Sequence, residues 1–383
     1  MVAKTESDAG SGSGAESGAG EGSAAGEGSG AGAGSGAHAG SGLPVAYCSY
    51  AAPHHDFPAH PEHSGRVPAI MAALAEAGLL ADMMALEHGA APIEAILACH
   101  SREYVESLEL AAMRGAGIID NAPTYVTTSS FYDALQSAGA AVACVDAVLD
   151  GRASAALSLT RPPGHHAVPF AAMGFCLFNN VAVAARHLQG RGLERILIVD
   201  VDVHHGNGTQ DIFYDDPTVF YASIHEKGIY PGTGSEGETG MGEGKGSVLN
   251  VPLPAGAGDQ ATAQAIARLV RPAAHGFRPD FVLVSAGYDS HFLDPLAMLQ
   301  CSGPGFHHTF VELGRLASEL CDGRIATVLE GGYHLGALGN GVVNTVLALT
   351  GAEADESLGY APLPEPDVTD TIERIRMAHG LPE

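Results

Sequence analysis

Short, almost continuous apolar runs alternate along the chain with longer stretches in which apolar and polar residues mix at helical spacing. The runs are Val45 to Ser49, Ala153 to Leu159, Arg195 to Asp200, Val219 to Ile224, Val248 to Val251, Phe281 to Ser285 and Ile325 to Leu329. Their Val, Ile and Leu content is that of strands covered on both faces. Between them the pattern predicts helices over Arg66 to Ala77, Arg102 to Met113, Ser130 to Leu149, Asn179 to Gln189, Asp259 to Ala274, Pro304 to Cys321 and Leu335 to Leu349. Strands spaced by helices predict an α/β fold around a parallel sheet. Ser101 is placed to cap one helix, and Pro304 suits the first turn of another. Beyond Thr350 the chain is polar and proline-punctuated, then closes with a short amphipathic helix from Asp370 to Ala378.

Composition narrows the picture at both ends. Residues 1–42 are a nearly unbroken Gly, Ala, Ser and Glu mixture with no run of large apolar side chains. Such a segment cannot offset the entropy of ordering and is expected to be a flexible tail, leaving residues 43–383 as one domain. Neither a signal peptide nor a transit peptide is evident, and no segment reaches the roughly 18 apolar residues of a membrane span, so cytoplasm or nucleus is expected. The net charge of −26, with lysine only at Lys4, Lys227 and Lys245, argues against direct nucleic-acid binding. Six cysteines without a CxxC pair are expected to be buried free thiols in a reducing compartment.

Four of the strands end in unusual polar clusters. After Arg195 to Val199 comes Asp200-Val-Asp202-Val-His204-His205-Gly-Asn207. Strand alternation would turn Asp200, Asp202 and His204 to one side, at the carboxyl end of a buried strand, where α/β sheets bind ligands. That donor mixture suits Zn²⁺ or another first-row divalent ion, with one carboxylate to spare. After Ala155 to Leu159 comes Arg161-Pro-Pro-Gly-His165-His166, a rigid backbone presenting adjacent imidazoles in different directions, as an acid/base pair would be. Asp200 and Asn207 are available to hold the second nitrogens of those histidines. After Phe281 to Ser285 comes Ala286-Gly-Tyr-Asp289-Ser-His-Phe-Leu-Asp294-Pro-Leu296, in which Asp289 could supply a third ligand. After Ile325 to Leu329 comes Glu330-Gly331-Gly332-Tyr333, in which Tyr333 could donate to a substrate oxygen. Gly232-Thr-Gly234-Ser-Glu-Gly237 matches GxGxxG but opens no helix, so a loop is expected there. His54-His55-Asp56 and His307-His308 lack a strand-end setting and are expected to have surface or capping roles.

In chain order, His60-Pro-Glu62, Arg161-Pro-Pro-Gly-His165-His166-Ala, Gly174-Phe175-Cys-Leu-Phe-Asn179-Asn180, Asp200 to Gly208, Ser223-Ile224-His225, Tyr230-Pro-Gly-Thr-Gly234, Ala286 to Ser290 and Glu330 to Tyr333 resemble the histone deacetylase family, in its class II branch. The resemblance runs from about residue 45 to 350. It implies a single-domain arginase/deacetylase fold with about eight strands, and Zn²⁺ held by Asp202, His204 and Asp289. It further implies His166 as general base and acid with Asn207 behind it, and His165 with Asp200 as electrostatic partner. Tyr333 would polarise the carbonyl, Phe175 and Tyr230 would wall the substrate tunnel, and Gly174, Gly332 and Leu296 would contact substrate. The family usually has a phenylalanine where Tyr230 stands, so this wall is expected to be more polar. A structural K⁺ would use Asp200, Asp202, His204, Ser223 and Ile224, partly through main-chain carbonyls. Tyr333, rather than histidine, implies an active lysine deacetylase. Leu296, where polyamine-specialised members have glutamate, implies an acetylated protein or peptide substrate over a small acetylated amine. A catalytically idle acyl-lysine reader or corepressor is the reading from another functional class. The acid/base set opposes it, and the oligomeric state is left open.

Overall fold

The computed structural model describes residues 42–115 and 117–382. The expected tail lies outside these residues except for Gly42. Ten strands are present among them: β1 (Val45–Tyr50), β2 (Met84–Ala85), β3 (Gly117–Ile118), β4 (Tyr125–Val126), β5 (Ala155–Thr160), β6 (Ile196–Asp200), β7 (Val219–Glu226), β8 (Val248–Leu253), β9 (Phe281–Ala286) and β10 (Ile325–Leu329). Eight of them form one sheet in the order β2-β1-β5-β10-β9-β6-β7-β8, every neighbouring pair parallel. All seven predicted strands are in it. The eighth, β2, is a two-residue edge strand with no apolar run to announce it. β3 and β4 pair separately as a small antiparallel ribbon.

The helices are α1 (Arg66–Glu76), α2 (Ile93–Leu97), α3 (Arg102–Met113), α4 (Ser130–Leu149), α5 (Asn180–Gly190), α6 (Asn207–Phe213), α7 (Asp259–Ala265), α8 (Arg271–Phe277), α9 (Gly303–Leu320), α10 (Leu335–Thr350) and α11 (Thr369–Ala378). Ser101 caps α3 by accepting the Tyr104 N–H, and Pro304 sits in the first turn of α9. The single helix predicted over Asp259 to Ala274 is instead α7 and α8 joined by a π-helical turn, Ile266–Val270. None of the helices is long and apolar enough to cross a membrane among the described residues.

Strand pleating sorts the apolar side chains into two layers. Leu197 and Val199 of β6, with Val282 and Val284 of β9, pack on one face with α1, α7 and α9 to α11. Ile196, Ile198, Phe281 and Leu283 pack on the other with α4 and α5. Both faces of the sheet are therefore dry, as its continuous apolar runs require. The consequence for function lies in the order β5-β10-β9-β6. These four adjacent central strands carry the four polar clusters, and because all run parallel, all four open at the same edge.

Candidate active site

β6 ends at Asp200, so the strand alternation expected to continue through His204 does not. Asx-type turns replace it: the Asp202 N–H donates to Asp200 Oδ1 at 3.2 Å and the His204 N–H to Asp202 Oδ1 at 2.9 Å. The three side chains still converge. Asp289, at the end of β9, joins Asp202 and His204 so that one donor atom from each lies within 4.8 Å of the others. Asp289 Oδ2 is buried 3.2 Å from His204 Nδ1, yet it accepts no hydrogen bond among the described residues. Asp289 Oδ1 is held by the Val203 N–H at 3.0 Å, and Asp202 Oδ2 by the Gly331 N–H at 2.7 Å. A side chain at Gly331 would stand 2.1 Å from Asp289 Oδ2, which accounts for glycine there.

The charges in this cluster fit a cation. Burial and the nearby Asp202 charge push the Asp289 carboxyl up to about 7. Burial alone would lower His204, but Asp202 and Asp289 raise it to about 10. Two buried carboxylates therefore call for positive charge, and an orphaned oxygen is already turned to the spot. An O, N, O set of this kind suits a divalent first-row ion.

The paired histidines that follow β5 are tethered differently. His165 Nδ1 lies 3.1 Å from Asp200 Oδ2, which also accepts from the Tyr221 hydroxyl at 3.0 Å. Burial works against a charge on His165, but Asp202 and Asp200 outweigh it and raise the ring to about 10. His166 Nδ1 instead meets Asn207 Oδ1 at 2.8 Å. Burial and the neighbouring His165 and His204 hold its pKa well below the ordinary value, so it is neutral. An amide oxygen facing Nδ1 selects the tautomer with the proton there and leaves the lone pair on Nε2.

His166, His204, Phe175, Tyr230, Leu296 and Tyr333 share a pocket of about 210 Å³. Gly174 and Phe175 both take positive φ, +56° and +70°, an unusual pair of backbone conformations beside the pocket. The Phe175 ring makes edge contacts with His60 at 4.5 Å and Tyr333 at 5.8 Å, and the Phe175 backbone N–H donates to Thr124 Oγ1 at 3.0 Å. Gly174 also lines the pocket, where a Cβ would stand 2.3 Å from the His166 ring. Tyr230 stands edge-on to His166 at 5.0 Å, and burial raises its pKa beyond any physiological range. Its hydroxyl is buried without a partner among the described residues. Burial and the Asp289 charge likewise keep the Tyr333 phenol protonated, as a donor must be. Gly332 is not brought to the pocket. Its carbonyl accepts from Arg66 Nε at 2.7 Å, and a side chain there would strike Leu338.

Three further groups support the site. Arg66, fully buried, binds the carbonyls of Gly332 and Glu330 and lies 5.0 Å from the Tyr333 ring. Glu62 joins Arg66 to Arg161. Asp294 accepts the N–H groups of Tyr333 at 2.6 Å, His334 at 3.0 Å and Leu296 at 3.1 Å, linking the tyrosine loop to the pocket rim. His55 also departs from expectation, being buried and stacked 4.4 Å from Tyr125. His307 bonds the Ala352 carbonyl near the surface, and Gly232 to Gly237 form a loop.

Fold and site together define an α/β protein with a candidate hydrolytic centre at the carboxyl edge of a parallel sheet. The chain belongs to the histone deacetylase family: the model of the histone deacetylase domain matches residues 60–349. It is 42% identical over 359 residues to histone deacetylase 10, chloroplastic, from Oryza sativa subsp. japonica, covering 88% of this chain and 81% of that one. It is 40% identical over 307 residues to the human polyamine deacetylase HDAC10, covering 76% and 45% of the two chains. The crystal structure of the HDA15 HD domain superposes with a TM-score of 0.81 at 33% identity, covering 88% of this chain and 94% of that one.

Proposed function

We propose that this deacetylase is a zinc-dependent amidohydrolase that removes acetyl, or another short acyl group, from the ε-amine of lysine in proteins. One observation carries the proposal: His166, His204 and Tyr333 line a single pocket, with Asp202 and Asp289 grouped around His204 and His165 beside Asp202. A divalent ion held by that set supplies Lewis acidity to a water and to the amide carbonyl. His166, neutral and with its Nε2 lone pair free, takes the water's proton and then delivers it to the departing amine. Asn207 keeps the ring in that tautomer. His165, charged beside Asp200, stabilises the negative charge that builds during attack, and the Tyr333 O–H donates to the carbonyl oxygen. Phe175 and Tyr230 flank the alkyl stem.

Leu296 at the rim offers no carboxylate to a second ammonium group, which favours a peptide over a polyamine. The identity to a human protein named polyamine deacetylase favours the second reading, an acetylated polyamine or other small amide. Cytoplasm or nucleus is the compartment we propose, in keeping with six unpaired, buried cysteines. Acetate release from an acetyl-lysine peptide and from N-acetylputrescine, measured side by side, separates the substrates. A higher kcat/KM on the peptide supports the first reading, and a higher value on N-acetylputrescine replaces it with the second. Turnover of neither would point to an acyl-lysine reader.

A further inference from the structure

Behind the acid/base pair lies another group of potential ligands. His165, Cys176 and Glu330 are all buried, and one donor atom from each lies within 4.8 Å of the others. Glu330 Oε2 accepts the N–H groups of Gly164 at 2.7 Å and His165 at 3.0 Å. Its Oε1 has no hydrogen-bond partner among the described residues, although the side chain is 0% exposed. A buried carboxylate oxygen without a donor is costly, so the cluster holds an acceptor that an ion would satisfy. His165 Nδ1 is engaged by Asp200, which leaves Nε2 to ligate. A thiol, an imidazole and a carboxylate together favour thiophilic divalent ions such as Cd²⁺, Co²⁺ or excess Zn²⁺ over Mg²⁺ or Ca²⁺.

We propose that His165, Cys176 and Glu330 form a second, inhibitory site for a thiophilic divalent cation, separate from the Asp202, His204 and Asp289 set. Binding makes one bond from the ion to each of Sγ, the imidazole nitrogen and a carboxylate oxygen. The thiol proton, the proton on the ligating nitrogen of the charged His165 and any proton on Glu330 leave to solvent, and nothing is oxidised. The ion takes up the nitrogen with which His165 faces Asp202, 3.8 Å away, so turnover falls as the site fills. Only that inhibitory consequence rests on the function proposed above; the binding does not.

The test uses the full chain loaded with one equivalent of Zn²⁺ and then titrated with Co²⁺. A near-ultraviolet thiolate-to-cobalt charge-transfer band reports Cys176, because the Asp202, His204 and Asp289 set contains no sulfur. The band is expected to saturate at one further equivalent, with activity falling in parallel. Cys176→Ser is expected to lose the band and to need roughly tenfold more Co²⁺, or above, for equal inhibition. Glu330→Gln is expected to weaken both, and it carries the comparison if the serine variant does not fold. Absence of the band in the wild type overturns the proposal, as does a band undiminished in Cys176→Ser or in Glu330→Gln. A band without turnover of acetyl-lysine peptide leaves this site standing and refutes the substrate reading; turnover without a band does the reverse.

Discussion

Glu62→Gln removes one negative charge from a place where two guanidiniums share it. The side chains of Glu62, Arg66 and Arg161 are all 0% exposed. Arg161 grips the carboxylate through Nε on Oε1 and through Nη2 on Oε2 at 2.6 Å, while Arg66 Nη1 reaches Oε1 at 3.3 Å. The remaining Arg161 donors go to the carbonyls of Ala51 at 2.8 Å and His55 at 3.0 Å, so neither cation can turn to water. Losing one partner of a buried ion pair costs about 3–5 kcal/mol. At roughly 2 °C per kcal/mol for a domain of this size, Tm should fall by about 6–10 °C at neutral pH. Burial alone would raise the Glu62 pKa, but the charges and hydrogen bonds of Arg161 and Arg66 hold it well below the usual carboxylate range. The stability it confers is therefore complete above the unfolded value near 4.3 and is lost as pH falls toward the folded one. Thermal unfolding followed by circular dichroism, from neutrality to about pH 3, should show the deficit of the variant shrinking with acidity. A neutral-pH change under about 2 °C, or a deficit constant across the range, would refute this reasoning.

Tyr333→Phe removes the proposed carbonyl donor and should cut kcat by about 10²–10³-fold while Tm stays within about 1 °C, since among the described residues no hydrogen bond of that hydroxyl holds the fold; a loss under about threefold counts against its role. Gly174→Ala places a methyl group against His166 and Tyr230 in a backbone at φ +56°. It should cost about 1–3 kcal/mol of stability and most of the activity, and unchanged kinetics would show that the pocket is wider than its walls imply.

The strand-end chemistry was legible because buried parallel strands are nearly pure apolar runs, so any polar cluster following one stands out. That logic located Asp202, His204 and Asp289, although the turns after Asp200 do not follow the strand period from which their direction was inferred. The edge strand Met84–Ala85 has two residues and no periodicity to read. The π-helical turn at Ile266–Val270 falls inside one run of mixed apolar and polar residues that reads as a single helix. Glu62 and Arg66 are four residues apart, but Arg161 is about a hundred residues on, and His55 is buried by ring stacking and by a bond to Ser130 that only the tertiary fold creates. A charged residue opening an apolar helix, as Arg66 opens α1, was the available hint, because a buried charge needs a partner.

Metal content and acetate release, measured on the same sample of wild type and Asp289→Asn, address the central claim most directly. The wild type should carry one Zn²⁺ per chain and release acetate from an acetyl-lysine peptide, lose activity on chelation and regain it with Zn²⁺. Asp289→Asn should fold, yet hold the ion weakly and release little acetate. Full acetate release by metal-free wild type, or by an Asp289→Asn sample without bound ion, would contradict the account.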